Sequence, residues 1–369
     1  MIVYYIALGI SVTLAIILEK KKTVYVHQKQ FVITQSPSYM KTILMLLPLF
    51  MVLAFRWNVG VDSFYGGSYS RAYHLAATGI SERAMEPGYF LLSMLFSMLH
   101  VPFFWFLFFL ASVYILCVSY AIFKLSVSPA YSIFLFVILM SYFDAFSALR
   151  QATAQGICMA ALARWLSQEE NQKNDVIYLV TVGFAAMFHY IALIYIFLYL
   201  VSRRKYSKKN YIVIILCLTA ASPLIGAVLN LISSFVSGGG YQERGWASSY
   251  AIIALFVLTL CVYKYDTIIS INPRARVLIN LSLCTFVFMI NSSALLLPYR
   301  FFDVFKIGYI FTIPYVIKSE KTHLNRVAMT IAIVLGFGLF FWNAFYNQDT
   351  ILRQYQSALS SWEYVSTLY

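Results

Sequence analysis

Long apolar runs, broken by short polar stretches that are mostly basic, fill this chain as far as about residue 346. The runs are continuous, as in LLPLFMVLAF (46–55) and VPFFWFLFFLASVYILCVSYAIF (101–123). A membrane β-barrel would alternate apolar and polar residues over short segments, so the pattern predicts helices. Crossing the hydrocarbon of a bilayer takes roughly 20 apolar residues. Spans are expected at about 2–18, 42–55, 102–123, 129–146, 150–166, 210–236, 248–265, 277–297, 301–318 and 327–346. The stretch 176–201 is expected to be two short helices that meet near His189. The fold class is therefore all-α, a polytopic membrane bundle of about 12 helices. Residues 87–99, PGYFLLSMLFSML, are too short to cross: at 1.5 Å per residue they reach about 20 Å, against roughly 30 Å of hydrocarbon. They read as an interfacial or re-entrant helix begun by Pro87, a residue suited to a first helical position.

Composition supports the bilayer. Of 369 residues 61% are hydrophobic and 11% charged, whereas soluble domains carry about 25% charged residues. The net charge of +13 comes with no nucleic-acid-binding motif, and most Lys and Arg sit in short connections, where they report topology. Lys20–Lys22, SRRKYSKK (202–209) and the basic connections 264–276 and 318–326 are assigned to the cytoplasm, as is 19–41. Residues 56–86 and 237–247 are then outer loops, 347–369 is a polar tail outside, and 1–369 is one integral membrane domain. The five cysteines lie inside apolar runs without CxxC spacing and read as packing residues. The first residues are apolar with no basic stretch before them, so no cleaved signal peptide is expected.

Ionisable groups in or at the ends of spans are costly against lipid and are kept where they act. Here they are Arg56, Asp62, Glu86, Asp144, Arg150, His189, Arg300 and Asp303. In RQATAQGICMAALA (150–163), Gln151 and Gln155 share one helical face. Ala152, Gly156 and Ala160 share another, at the small-xxx-small spacing that lets helices approach closely. That helix is expected to be central, with Arg150 at its outer N-terminal end, where the helix dipole adds partial positive charge. Arg56, Arg150 and Arg300 are candidate ligands of phosphate oxygens. His189, Asp62 and Glu86 are candidate bases. Gln151, Tyr65 and Tyr299 are supporting candidates, and Tyr69, Tyr73 and Tyr89 are among the aromatics available to stack on sugar rings. No metal motif is visible, and no cofactor is expected. Each charged candidate also has a plainer reading. Arg56 ends a span by snorkelling; Arg150 pairs with Asp144; His189 packs; Glu86 caps the helix at Pro87; Arg300 pairs with Asp303; Asp62 holds a turn.

With RWNVGVDSFY (56–65), EPGY (86–89), LRQATA (149–154), MFHYIAL (187–193) and YRFFDVF (299–305) on the page, the chain resembles the EpsG/Wzy-like polysaccharide polymerases of bacterial membranes. The likeness runs to about residue 305. One departure is VGVDSF, where members often carry a Thr before the Asp. The resemblance implies a GT-C-like bundle in the bacterial inner membrane with its active site facing the periplasm. It implies transfer of a glycan from undecaprenyl diphosphate to a newly flipped repeat unit on the same carrier. The expected partners are that lipid-linked oligosaccharide, the lipid bilayer and, as a candidate, a chain-length-regulating protein. Two alternatives are weighed beside it: a flippase for the same lipid-linked sugars, and an enzyme that modifies a surface glycan once.

Overall fold

A computed structural model describes residues 2–26, 29–57, 59–60, 69–79, 85–202, 204–228, 248–294, 298–320 and 322–343, with Phe345, Tyr355 and Ser357. Helices dominate these residues, with one two-stranded hairpin beside them, which places the fold in the all-α class. In order they are α1 (Ile2–Leu18), α2 (Tyr39–Ala54), α3 (Tyr69–Ala76), α4 (Pro87–Met98), α5 (Phe103–Leu125), α6 (Pro129–Ile138), α7 (Ser141–Ser147), α8 (Leu149–Ser167), α9 (Gln172–Ala186) and α10 (Ile194–Ser202). There follow α11 (Lys208–Ala220), α12 (Ser222–Val228), α13 (Ser248–Tyr263), α14 (Tyr265–Ile271), α15 (Ala275–Ile290), α16 (Pro298–Phe305), α17 (Ile307–Lys318) and α18 (His323–Asn343). Among the described residues, α5 and His323–Trp342 are long and apolar enough to cross a membrane. Three bent pairs qualify if each counts as one span: α6 with α7 at 44°, α11 with α12 at 62°, and residues 250–263 with α14 at 70°.

Two compact units are present: residues 1–22, 34–196 and 333–369 in the first, residues 23–33 and 197–332 in the second. In the first, α8 lies along α5, α5 and α1 flank α2, and α9 covers α8. Helix α8 is central, as its small-residue face predicts. A Cβ on Gly156 would sit 2.8 Å from the Tyr114 ring, so only glycine permits the approach of α8 to α5. The Tyr114 hydroxyl donates to Ser141 O at 2.6 Å and ties α5 to the start of α7. In the second unit, α13 and α17 both pack on α15, and α16 leads into α17 across Lys306. The buried Asn280 of α15 accepts from the Tyr211 hydroxyl, and its amide donates to Arg204 O at 3.1 Å.

Several expected elements are redrawn. The stretch 19–41, expected as a cytoplasmic connection, contains a hairpin, β1 (Lys20–Val26) and β2 (Lys29–Gln35). Its signal is the alternation in FVIT: Phe31 and Ile33 are buried, while Val32 between them is not. Thr34 N donates to Val127 O at 2.9 Å. Residues 56–86, expected as an outer loop, contain α3. The span 129–146 is broken at Met140, whose φ of 65° is left-handed, and 301–318 is broken at Lys306. The polar stretch before 176 is the first turn of α9: Asn171 Oδ1 accepts from Asn174 N at 2.9 Å, a side-chain N-cap. The break expected near His189 is present, because α9 stops at Ala186 and a 3₁₀ turn, Tyr190–Leu193, precedes α10.

Candidate functional site

Two of the sequence motifs clasp one another in the first unit. Gly88 N and Tyr89 N, in the first turn of α4, both donate to Met187 O, at 2.8 and 3.2 Å. A Cβ on Gly88 would lie 2.7 Å from Met187 Cβ and 2.9 Å from Met187 O, so EPGY docks on MFHY only through a glycine. Pro87, with no N–H to satisfy, takes the first helical position. The clasp carries Glu86 to His189, two residues past Met187.

Glu86 makes no side-chain cap to α4. Its Oε2 instead meets Arg150 Nη1 at 2.5 Å, and its Oε1 lies 3.9 Å from His189 Nε2. The three side chains are 7%, 21% and 16% exposed, which leaves the group partly open. Arg150 pairs with Glu86 and not with Asp144, six residues earlier in α7. Tyr69 of α3 and Tyr89 of α4 flank its guanidinium carbon, 5.8 and 5.9 Å from the ring centroids. The guanidinium also hydrogen-bonds the Tyr69 hydroxyl. Cation–π contact with two rings and a carboxylate on one nitrogen hold the guanidinium plane fixed. Arg150 Nε and the amide nitrogens of Gln151 and Gln155 are buried with no hydrogen-bond partner among the described residues. All three are donors. Ala148 gives α8 no side-chain cap, so the positive end of the helix dipole adds to them.

Arg56 has a different setting. It lies just beyond the end of α2, 1% exposed. Its Nη1 donates to Leu53 O at 2.7 Å, and its guanidinium sits 5.3 Å from the Phe146 centroid. Tyr142 donates to Leu49 O at 2.9 Å and Tyr355 to Val52 O at 3.0 Å. Two of the last four carbonyls of α2, on Val52 and Leu53, are thus met by side chains, one of them a cation at the negative end of the dipole, and Tyr142 braces the turn before them. Tyr4 stands edge-on to Phe143, Phe146 and Tyr355 around the same spot. Burial pushes the Arg56 guanidinium down to about 10, so it stays charged at neutral pH. Gly60 fits the same corner: its φ is +101°, and a Cβ there would lie 2.0 Å from Phe146 O. Tyr89 lies within electrostatic reach of both Arg56 and Arg150.

A model of the EpsG family matches residues 39–357. The chain belongs to the EpsG family. No curated protein and no solved structure matches it. Membership supports a polysaccharide-polymerase-like, glycosyltransferase-like function and, with the apolar helices, marks a membrane protein. The matched stretch of this EpsG chain contains the clasp and Arg56.

The remaining candidates fall elsewhere. Asp62 and Tyr65 lie outside the described residues, as does the Tyr299 side chain. Arg300 is in α16 of the second unit. Its expected partner Asp303 pairs with Lys306 at 2.6 Å, because the break after α16 turns the buried lysine back onto it. Lys306, 1% exposed, is a charged residue that sequence reasoning passed over; the i, i+3 spacing in DVFK was its signal. Tyr69, Tyr73 and Tyr89 are 8%, 1% and 1% exposed. They are committed to packing and to Arg150 and do not form an open platform for sugars.

Proposed function

We propose that this chain is a polymerase that joins undecaprenyl-diphosphate-linked oligosaccharide repeat units at the outer face of the bacterial inner membrane. The shorter apolar helices, such as α1, α2 and α15, cross the bilayer with the longer ones in a bundle of about 12 spans, with a GT-C-like arrangement. The observation that carries the reading is the Glu86–Arg150–His189 group at the uncapped N-terminus of α8. Its unpartnered donors ask for a polyanion, and a lipid diphosphate is a polyanion that also leaves well.

The chemistry needs charge stabilisation and a base. Arg150 neutralises charge as it builds on the departing diphosphate, an electrostatic role that is often the largest single contribution to a rate. Gln151 and the uncapped turn of α8 support it. Arg56 is left out of direct contact because its guanidinium is enclosed at the end of α2. Arg300 of the YRFFDVF motif is carried by the second unit and is given no step in this scheme. Glu86 is paired with Arg150 in the resting chain. When the diphosphate takes Arg150, the carboxylate is released from its ion pair. It then accepts the proton of the acceptor sugar's hydroxyl, so that donor binding switches on the base.

The test supplies purified chain in lipid vesicles with lipid-linked repeat units extracted from cells that lack this chain. A polymerase returns a ladder of products. A single mass addition would mean a once-only modifying enzyme, and translocation without elongation a flippase. Arg150→Ala is expected to abolish the ladder in a chain that still folds; a normal ladder from that variant would refute the proposal.

A further inference from the structure

The ring of His189 is used at both nitrogens, and in different ways. Its Nδ1 accepts the backbone N–H of Ile191 at 3.2 Å and caps the 3₁₀ turn Tyr190–Leu193. A nitrogen that accepts an N–H carries no proton of its own, so the neutral ring bears its proton on Nε2. That Nε2 is the atom facing Glu86 Oε1, 3.9 Å away. The cap is not a loose contact. His189 N is itself bonded to Ala185 O at 3.2 Å, Ala192 N to His189 O at 3.0 Å, and Met187 next door is clasped by Gly88 and Tyr89. The backbone therefore fixes the ring and its tautomer together.

We infer that His189 works as a fixed Nε2–H donor to an oxygen of the bound diphosphate and does not serve as the base. This rests on the polymerase reading and assigns a role within it. In the transfer, the acceptor oxygen bonds to C1 of the donor sugar and the C1–O bond to the diphosphate breaks. The electron pair passes to that diphosphate oxygen, and the acceptor's hydroxyl proton goes to Glu86. His189 gives a hydrogen bond to the diphosphate as its charge grows and transfers no proton. To act as a base it would have to collect a proton on Nδ1, where the Ile191 N–H already points. That would set two donors against each other and break the turn.

Two amides separate the roles, because Gln places an N–H₂ near the position of Nε2 while Asn places an acceptor near the position of Nδ1. In the vesicle elongation assay, His189→Gln is expected to stay within about tenfold of the wild-type rate. His189→Asn is expected to fall by about 10²–10³-fold, the usual cost of losing one such donor. His189→Asn equal to or better than His189→Gln would reduce the residue to a turn cap and overturn the inference. Equal loss in both, or full activity in both, would overturn it as well. Nitrogen NMR of ¹⁵N-histidine-labelled chain provides a readout apart from turnover: a neutral ring protonated at Nε2 at pH 7 is expected, and a ring protonated at Nδ1 would sink the assignment. A wild-type chain that elongates nothing would count against the polymerase reading, while the nitrogen spectrum would still decide the tautomer.

Discussion

Arg150 and Arg56 sit in the same compact unit, are both in electrostatic reach of Tyr89, and are set to opposite uses. Arg150 keeps a partly exposed side chain, has a carboxylate on one nitrogen, and stands at the positive end of the central helix. Arg56 is enclosed, stands at the negative end of its helix, and bonds a carbonyl of that helix. A cation at a helix C-terminus is where the dipole wants it and strengthens the fold. A cation at a helix N-terminus is where the dipole does not want it, and it persists because something negative is there: Glu86 at rest and, in the proposed reaction, the diphosphate. In the proposed reaction, which end of a helix holds the arginine decides whether it stabilises or binds.

The largest expected effect tests the binding half of that contrast. Arg150→Ala should lower elongation by at least about 10²–10³-fold, the scale of one lost charge-stabilising donor, with the thermal midpoint of the purified chain nearly unchanged. Arg150→Lys should recover little, since a point charge replaces neither the planar fork nor its place between two rings. Arg56→Ala should do the reverse. It removes a buried side chain and a helix cap, a loss of about 2–4 kcal/mol, read as a drop in the thermal midpoint in detergent. Elongation per folded molecule should change by no more than about twofold. A chain that stays stable but stops elongating on Arg56→Ala would erase the distinction between the two arginines.

The sequence told both arginines apart from the lipid-facing residues but not from each other. Both end an apolar run, and hydropathy registers only that. The information that separates them is burial and helix polarity after folding. The α8 half was legible because the small face of 152, 156 and 160 announces close packing, and Gly156 against Tyr114 bears it out. The break at His189 was legible because the apolar stretch was too long for one span and too short for two. The pairing of Arg150 with Glu86 was not, since the two are 64 positions apart and each had a nearer explanation: Asp144 for one, the α4 terminus for the other. The clasp that joins them depends on what a Cβ at position 88 would strike, which no periodicity encodes. The hairpin at 20–35 was missed because five lysines in 19–41 drew attention to topology and away from the alternation in FVIT.

Gly88→Ala probes that clasp with an effect of middle size. The added methyl meets the backbone of Met187, so α4 must back away and carry Glu86 from His189 and Arg150. A shift of about 1 Å in a positioned group costs on the order of 10²-fold at most. Partial relaxation makes about tenfold in elongation the expected outcome, with a modest loss of stability. If the rate is untouched, the approach of the two motifs is packing alone.

The smallest effect expected is also the most specific. Tyr69→Phe keeps the ring over the Arg150 guanidinium and removes only the hydroxyl that hydrogen-bonds it. The cation–π contact, about 0.5–2 kcal/mol, survives, and the lost hydrogen bond to a charged group is worth about 1.5–3 kcal/mol at full strength. Glu86 and Tyr89 still hold the guanidinium, so most of that loss is made up, and a fall of about threefold in elongation is expected. Tyr69→Ala, which takes the ring as well, should cost several times more. The two variants together separate the hydroxyl from the ring: equal losses would mean that the hydroxyl alone orients Arg150, and no loss from either would mean that Glu86 and Tyr89 suffice to hold it.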